Sequence, residues 1–241
     1  MYFIIFLLAL CLGSFANNVI SYYIKSSKFD MLRSTCICGK KNLRSTELIP
    51  LLSFAIQKGK CRECPQKISF RYPFVELICG ILGVICYFKY DITLTFLFNF
   101  LLLYLLFIIA VIDLYAFIIP NHIVFVLLLL AVVKFLVFNE IFQSNLLFAV
   151  IISVVFISLN QIYIKTKRKL AIGYGDIKLI AVLMLLVNIP FSLLGLWLSS
   201  LIAIPGYFVL KRIFPDEKFS TGKIPLGFFL WLGYNSVIFF S

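Results

Sequence analysis

Long apolar runs separated by polar segments are the dominant pattern of the chain. Most of these runs approach the ~20 residues that a helix needs to cross the hydrocarbon core of a bilayer. We therefore predict an all-α, polytopic integral membrane protein with about eight transmembrane helices. The predicted spans are residues 1–24, 73–88, 92–112, 119–138, 146–164, 177–189, 190–210 and 224–240. Only Asn188 and Pro190 separate the sixth span from the seventh.

Composition supports the same class and excludes others. The chain is 63% hydrophobic and 13% charged, with a mean hydropathy of +1.07, whereas soluble domains are roughly 45–50% apolar and about 25% charged. A soluble enzyme, a nucleic-acid-binding domain and a disordered chain are thereby excluded. The first 24 residues are uncharged and have no small-residue cleavage site, so we expect a retained span there. The predicted division is a first helix at 1–24, a basic cysteine loop at 25–71 and a seven-helix core at 72–241.

The net charge of +12 is explained by where the basic residues lie. Of the 22 Lys and Arg residues, 20 fall in segments 25–71, 165–178 and 211–223, which share one side of an eight-span arrangement. Basic loops face the cytosol, so we predict both termini outside it. Membrane lipid is the expected partner of these charges, and no nucleic-acid partner is needed.

Three acidic residues lie within or at the edge of predicted spans, where carboxylates are costly and often functional. Taken singly, Glu76 is a buried acid, Asp113 an interfacial acid and Asp176 a helix N-cap. Asp113 and Asp176, however, are predicted at the same depth on the cytosolic side. Two close carboxylates can divide the work of aspartic proteolysis, one activating water and the other polarising the scissile carbonyl. Gly173 and Gly175 would let a substrate backbone approach.

Four cysteines lie in the predicted cytosolic loop, at Cys36, Cys38, Cys61 and Cys64. Thiolates in a reducing compartment favour a structural Zn²⁺ over disulfides, and a metal could order a loop too small to fold alone. The first pair is one residue closer than Cys-x-x-Cys, so four free thiols remain the alternative.

Six segments follow one another along the chain: Gly13-Ser14-Phe15-Ala16-Asn17, Leu48-Ile49-Pro50-Leu51-Leu52-Ser53, Gly59-x-Cys61-x-x-Cys64 followed by Ile68-Ser69-x-Arg71-Tyr72-Pro73-x-Val75-Glu76, Asp113 with Ile119-Pro120-Asn121, Gly173-Tyr174-Gly175-Asp176-Ile177-Lys178, and Ile224-Pro225-Leu226-Gly227. In this order they resemble the motifs of prepilin peptidases (type IV leader peptidases), membrane aspartic proteases with a Gly-x-Gly-Asp motif.

The resemblance implies a specific activity. The family cleaves the short basic leader from type IV prepilins or related pseudopilins at the cytosolic face. The resemblance assigns the catalytic roles to Asp113 and Asp176. Many members also methylate the new N-terminus with S-adenosylmethionine. No role is implied for Lys178 or Glu76 near the site, and we interpret Glu76 as a buried acid paired with Arg71 or a neighbouring span.

Three alternatives remain open from the sequence. The same protease could act on another transmembrane substrate. A small transporter could use Asp113 and Asp176 as proton or cation sites, although transporter carboxylates tend to lie near the midplane of the membrane. An inactive scaffold for pilus assembly is the third alternative, and the intact aspartates argue against it.

Overall fold

The computed structural model describes residues 1–25, 49–61, 67–138, 142–213 and 223–238. Regular structure in these ranges is helical, apart from one antiparallel bridge between Lys60 and Lys67. The helices are α1 (Tyr2–Lys25), α2 (Leu52–Ile56), α3 (Arg71–Tyr90), α4 (Leu94–Ala116), α5 (Asn121–Phe138), α6 (Phe142–Lys167), α7 (Tyr174–Leu186), α8 (Ile189–Ile213) and α9 (Leu226–Ile238). The prediction of an all-α, polytopic membrane protein is confirmed.

All eight predicted spans correspond to helices, but only some of them have the length of a full crossing. Six described helices are long and apolar enough to cross a membrane: α1, α3, α4, α5, α6 and α8. The sixth and eighth predicted spans form α7 and α9, each of 13 residues. At ~1.5 Å per residue these helices extend roughly 20 Å, less than the ~30 Å hydrocarbon core. Pro190 lies in the first turn of α8, where its missing N–H costs no helical bond.

Two compact units divide the chain, Met1–Phe100 and Leu101–Ser241. In the first unit, α1 packs along α3 through small residues. A Cβ built on Gly83 would lie 2.7 Å from the Cβ of Ala9, and one on Gly13 would lie 2.7 Å from the Cα of Glu76. Small residues allow such close backbone approach, which drives helix association in lipid.

The second unit is organised around α7, which packs against α5, α6, α8 and α9. Seven of its thirteen residues are buried. The second half of α4 is also buried almost continuously, from Leu102 to Asp113. The two helices that carry the candidate aspartates are therefore surrounded by protein, whereas α6 is largely exposed.

Helices α8 and α9 form a second close pair within this unit. The Tyr234 hydroxyl and Ser192 Oγ are hydrogen-bonded at 2.8 Å, and a Cβ on Gly195 would meet the Tyr234 ring at 3.2 Å. Phe107 of α4 contacts Trp231 of α9, with ring centroids 5.0 Å apart. These contacts fix α9, whose first turn reaches the candidate site.

Candidate active site

Asp113 lies in the last turn of α4, and its side chain is 5% exposed. The helix ends three residues later, where Phe117 takes a left-handed conformation (φ 55°) and donates its N–H to the Asp113 carbonyl at 2.9 Å. Pro120 follows, and the chain enters α5 at Asn121. A carboxylate at the C-terminal end of its own helix is disfavoured by the helix dipole, so stabilising donors must come from elsewhere.

Those donors come from the first turn of α9. The Gly227 N–H donates to Asp113 Oδ2 at 2.7 Å, and the Phe228 N–H donates to the same carboxylate. The first N–H groups of a helix have no partner within it and carry positive partial charge. Asp113 therefore caps α9. A Cβ on Gly227 would lie 3.0 Å from Asp113 Oδ2, so glycine keeps the amide close to the acid.

Asp176 lies in the first turn of α7, where the helix dipole favours a carboxylate. Gly173 is the N-cap residue of this helix, in an extended conformation, and its N–H donates to the Asp176 carboxylate. Asp176 thus takes the position of the acidic residue in a capping box, which reaches back to the N-cap amide. The alternative in which Asp176 itself is the N-cap is wrong by three positions. Its side chain is half-buried.

The fold brings the two aspartates together from different helices. Asp113 and Asp176 are close enough to interact electrostatically. Gly175 permits this approach, since a Cβ there would meet the Cβ of Ile119 at 3.2 Å. Ile119 lies between α4 and α5, so glycine at position 175 lets the first turn of α7 lie close to this connection without displacing the Ile119 side chain.

Lys178 lies two residues after Asp176 on α7. Its Nζ is 3.5 Å from Asn121 Oδ1, which joins α7 to the start of α5, and its side chain is exposed. This contact gives the lysine a bridging position between the two motifs that carry the aspartates.

Glu76 lies in the first unit and contacts residues of that unit. Its side chain is 8% exposed, and Oε2 accepts the Leu51 N–H at 2.9 Å. Ser14 and Asn17 of α1 are also hydrogen-bonded to its carboxyl group. The interpretation of Glu76 as a buried acid paired with a neighbouring span agrees with these contacts. Arg71 donates through Nη2 to Ser21 Oγ at 2.7 Å.

Three of the four predicted zinc ligands, Cys36, Cys38 and Cys64, lie outside the described residues, so the zinc site stays a prediction. Cys61 is described, on a segment closed by the Lys60–Lys67 bridge and by a bond from the Ile68 N–H to the Gly59 carbonyl at 2.8 Å. Among the described residues, no three His, Cys, Asp or Glu side chains cluster as a metal site would.

Sequence reasoning assigned no role to two parts of the site. The amides of Gly227 and Phe228 act through the backbone, and the Ile224–Gly227 motif was their only signal. Asn160 is fully buried on α6 and binds the segment just before α7. Its signal was a single amide in an otherwise apolar run, shortly before a glycine turn.

The fold and the site define a multi-pass membrane protein with two interacting carboxylates at helix ends. Two family models match it: the bacterial peptidase A24 N-terminal domain over residues 7–90 and the type IV leader peptidase family over residues 100–207. The chain belongs to the type IV leader peptidase family. The second match includes both aspartates, whereas the first turn of α9 lies beyond it.

Several curated relatives carry the name prepilin leader peptidase/N-methyltransferase. The protein of Bacillus subtilis is 36% identical over 126 residues, which cover 50% of this chain and 48% of the relative. That of Myxococcus xanthus is 39% identical over 117 residues, 48% of this chain and 35% of the relative. That of Vibrio cholerae is 36% identical over 133 residues, 50% of this chain and 51% of the relative. The chain thus spans about half the length, or less, of these relatives. No solved structure gives a significant match.

Proposed function

We propose that this protein is a membrane aspartic endopeptidase that removes the leader peptide from type IV prepilins or related pseudopilins. The observation that carries the proposal is the electrostatic contact between Asp113 and Asp176, two carboxylates from different helices of one unit. Family membership and the names of the relatives support the same activity.

The chemistry follows from two carboxylates that share one proton. The ionised carboxylate takes a proton from a water molecule, which attacks the scissile carbonyl carbon. The protonated carboxyl group donates a hydrogen bond to the carbonyl oxygen and later delivers a proton to the leaving amine. Asp113 is held by the α9 amides and Asp176 by the Gly173 amide, so both carboxyl groups are oriented before substrate binds. Such preorganisation lowers the cost of reaching the reactive geometry.

The proposed reaction takes place at the cytosolic face of a bacterial plasma membrane. The supporting observation is charge: 20 of the 22 basic residues lie in three segments, two of which flank α7 and α9 at the ends that meet Asp113. By the positive-inside rule those ends face the cytosol, and both termini lie outside it. The substrate is a membrane-embedded pilin-like protein whose leader emerges on the same side.

This orientation has a direct test. Reporter fusions or cysteine-accessibility labelling at residues 30, 168 and 215 should all give cytosolic signals, while a fusion after residue 91 should give an external one. A single external result among the first three would contradict the arrangement.

N-methylation is a second activity in the names of several relatives, and S-adenosylmethionine would supply the methyl group. In the first unit, the described polar groups around Glu76 bind one another across the α1–α3 contact. That arrangement serves helix packing, so we derive no step through S-adenosylmethionine. A structural Zn²⁺ on Cys36, Cys38, Cys61 and Cys64 is likewise proposed only as a support for the loop.

The decisive experiment is co-expression of the full chain with a prepilin or pseudopilin from the same genome. Mass spectrometry of the product should show loss of the leader, and the mass of one added methyl group would report methylation in the same spectrum. A substrate that keeps its leader in the presence of abundant membrane-inserted protein would contradict the proposal.

A further inference from the structure

Asn160 is an unusual residue of α6. Along residues 150–170, all of which the structure describes, it is the only buried side chain, and it is 0% exposed. The neighbouring residues of this helix are mostly apolar and exposed. A buried amide without partners would cost free energy, so its position in this helix implies a specific set of hydrogen bonds.

The bonds of Asn160 all go to the backbone just before α7. Its Nδ2 donates to the Ile172 carbonyl at 2.8 Å, while its Oδ1 accepts the N–H groups of Ile172 and Ala171 at 3.0 and 3.2 Å. One side chain therefore satisfies both backbone groups of Ile172. This double contact fixes the position and the direction of the chain at that residue.

The fixed residue directly precedes the cap of α7. Ile172 is followed by Gly173, whose N–H donates to the Asp176 carboxylate and whose carbonyl accepts the Ile177 N–H at 3.2 Å. The connecting segment contains no regular structure, and it starts at Arg168 in a left-handed conformation (φ 55°). Asn160 thus connects α6 to the residue before Gly173. Through this contact α6 fixes the position of the Gly173 amide and therefore of Asp176.

We propose that Asn160 is a positioning residue for Asp176. It does not contact the reacting atoms, but it holds the Gly173 turn so that the Asp176 carboxyl group faces Asp113. This inference rests on the proposed peptidase activity and deepens it. Displacements of about 1 Å in a catalytic group can lower a rate by about 10²-fold, so loss of this anchor is expected to act on kcat.

The test compares purified full-length variants on a prepilin substrate. Asn160→Leu removes all three hydrogen bonds at similar volume, and kcat should fall by about 10²-fold while KM changes by less than about twofold. Asn160→Asp keeps the acceptor for the two N–H groups but turns the Nδ2 donor into an oxygen that faces the Ile172 carbonyl. Its loss should be smaller than that of Asn160→Leu, about tenfold. Amide hydrogen exchange across residues 168–176 should be faster in Asn160→Leu than in the wild type.

Asn145→Leu is the matched control, because Asn145 is a buried asparagine at the other end of the same helix (7% exposed). It should leave kcat and the exchange of residues 168–176 unchanged. Normal kcat in Asn160→Leu, or unaltered exchange, would overturn the inference while leaving the peptidase proposal intact. Equal losses in the two asparagine variants would also overturn it, by indicating a general packing effect. A wild type that does not cleave prepilin would defeat the proposed function itself.

Discussion

Two buried carboxyl groups, Glu76 in the first unit and Asp113 in the second, differ in what surrounds them. Glu76 lies mid-interface between α1 and α3, and its hydrogen-bond partners are one backbone amide and the side chains of Ser14 and Asn17. Asp113 is bound by two amides of a helix N-terminus and has a second carboxylate in electrostatic contact. Both are costly residues in an apolar protein, yet within the part of the chain that the structure describes only Asp113 has an acidic neighbour.

The difference separates a structural acid from a candidate catalytic one. The partners of Glu76 complete its hydrogen bonding and join α1 to α3, which is what a buried polar group needs for stability. The contact of Asp113 with Asp176 works against stability, because two close carboxylates repel each other unless one of them keeps a proton. An arrangement that costs stability and is built from two motifs on separate helices is typical of an active site.

The largest expected effect comes from breaking the pair. Asp113→Asn or Asp176→Asn preserves size and polarity, but the amide cannot act as an acid or a base. Leader removal should therefore fall on the order of 10²–10⁴-fold. The double variant should be little worse than either single variant, since residues that act as a unit are not additive. Cleavage is measured by mass spectrometry and normalised to the amount of protein in the membrane.

Asp91→Asn is the matched control for these variants. Asp91 is an exposed aspartate at the end of α3, and asparagine keeps its size and polarity. Its cleavage rate should equal that of the wild type. Near-normal cleavage by either Asp113→Asn or Asp176→Asn would defeat the pair and favour the transporter or scaffold alternatives.

Much of the fold was predictable because every described helix except the short α2 corresponds to an apolar run in the sequence. The boundary between α7 and α8 was predicted from Asn188 and Pro190, and the structure ends α7 at Leu186 and starts α8 at Ile189. The run at 177–189 already has only 13 residues, as α7 does, whereas the run at 224–240 could not predict that the described helix α9 falls short of a full crossing. That depends on where the chain leaves a helix to form a site, as at the N-terminal ends of α7 and α9.

The candidate site was predictable only in part, because local sequence motifs do not record contacts between distant helices. Asp113 and Asp176 are side chains in recognisable motifs, so the sequence indicated them as a pair. The Gly227 amide and Asn160 act on them through tertiary contacts between helices distant in the chain. Any residue type except proline can supply a backbone amide, so the sequence does not mark the amide of Gly227. Asn160 and Asn145 are both single asparagines in an apolar run, and the pattern does not distinguish them.

An intermediate effect is expected from Gly227→Ala, which tests the hydrogen bond between the Gly227 N–H and the Asp113 carboxylate. The added Cβ would lie 3.0 Å from Asp113 Oδ2 and 3.3 Å from its Cβ, so the carboxyl group must move away from the α9 amide. We expect kcat to fall by roughly 10–10²-fold, with the protein still folded. The measurement is the cleavage rate per mole of purified enzyme.

Gly13→Ala provides the comparison in the first unit, since its Cβ would meet the Cα of Glu76 at 2.7 Å. There the added methyl group separates two helices that pack closely, so the loss should be in membrane abundance and thermal stability. The cleavage rate per folded molecule should be retained. The opposite result, with Gly227→Ala losing stability alone and Gly13→Ala losing kcat alone, would reverse the assignment of the two acids.

The smallest effect on activity is expected at Glu76 itself. Glu76→Leu leaves the Leu51 N–H and the two α1 side chains without their buried acceptor, at about 1–3 kcal/mol for each unsatisfied group, so thermal unfolding in detergent should occur at a lower temperature. Glu76→Gln keeps an acceptor for the Leu51 N–H, and a serine hydroxyl can rotate to accept from the new amide, so the free energy of unfolding should change less. In both variants the cleavage rate per folded molecule should remain within about threefold of the wild type, as expected for residues outside the reaction. A large fall in kcat for Glu76→Gln at normal stability would place Glu76 among the functional acids and remove the distinction between the two units.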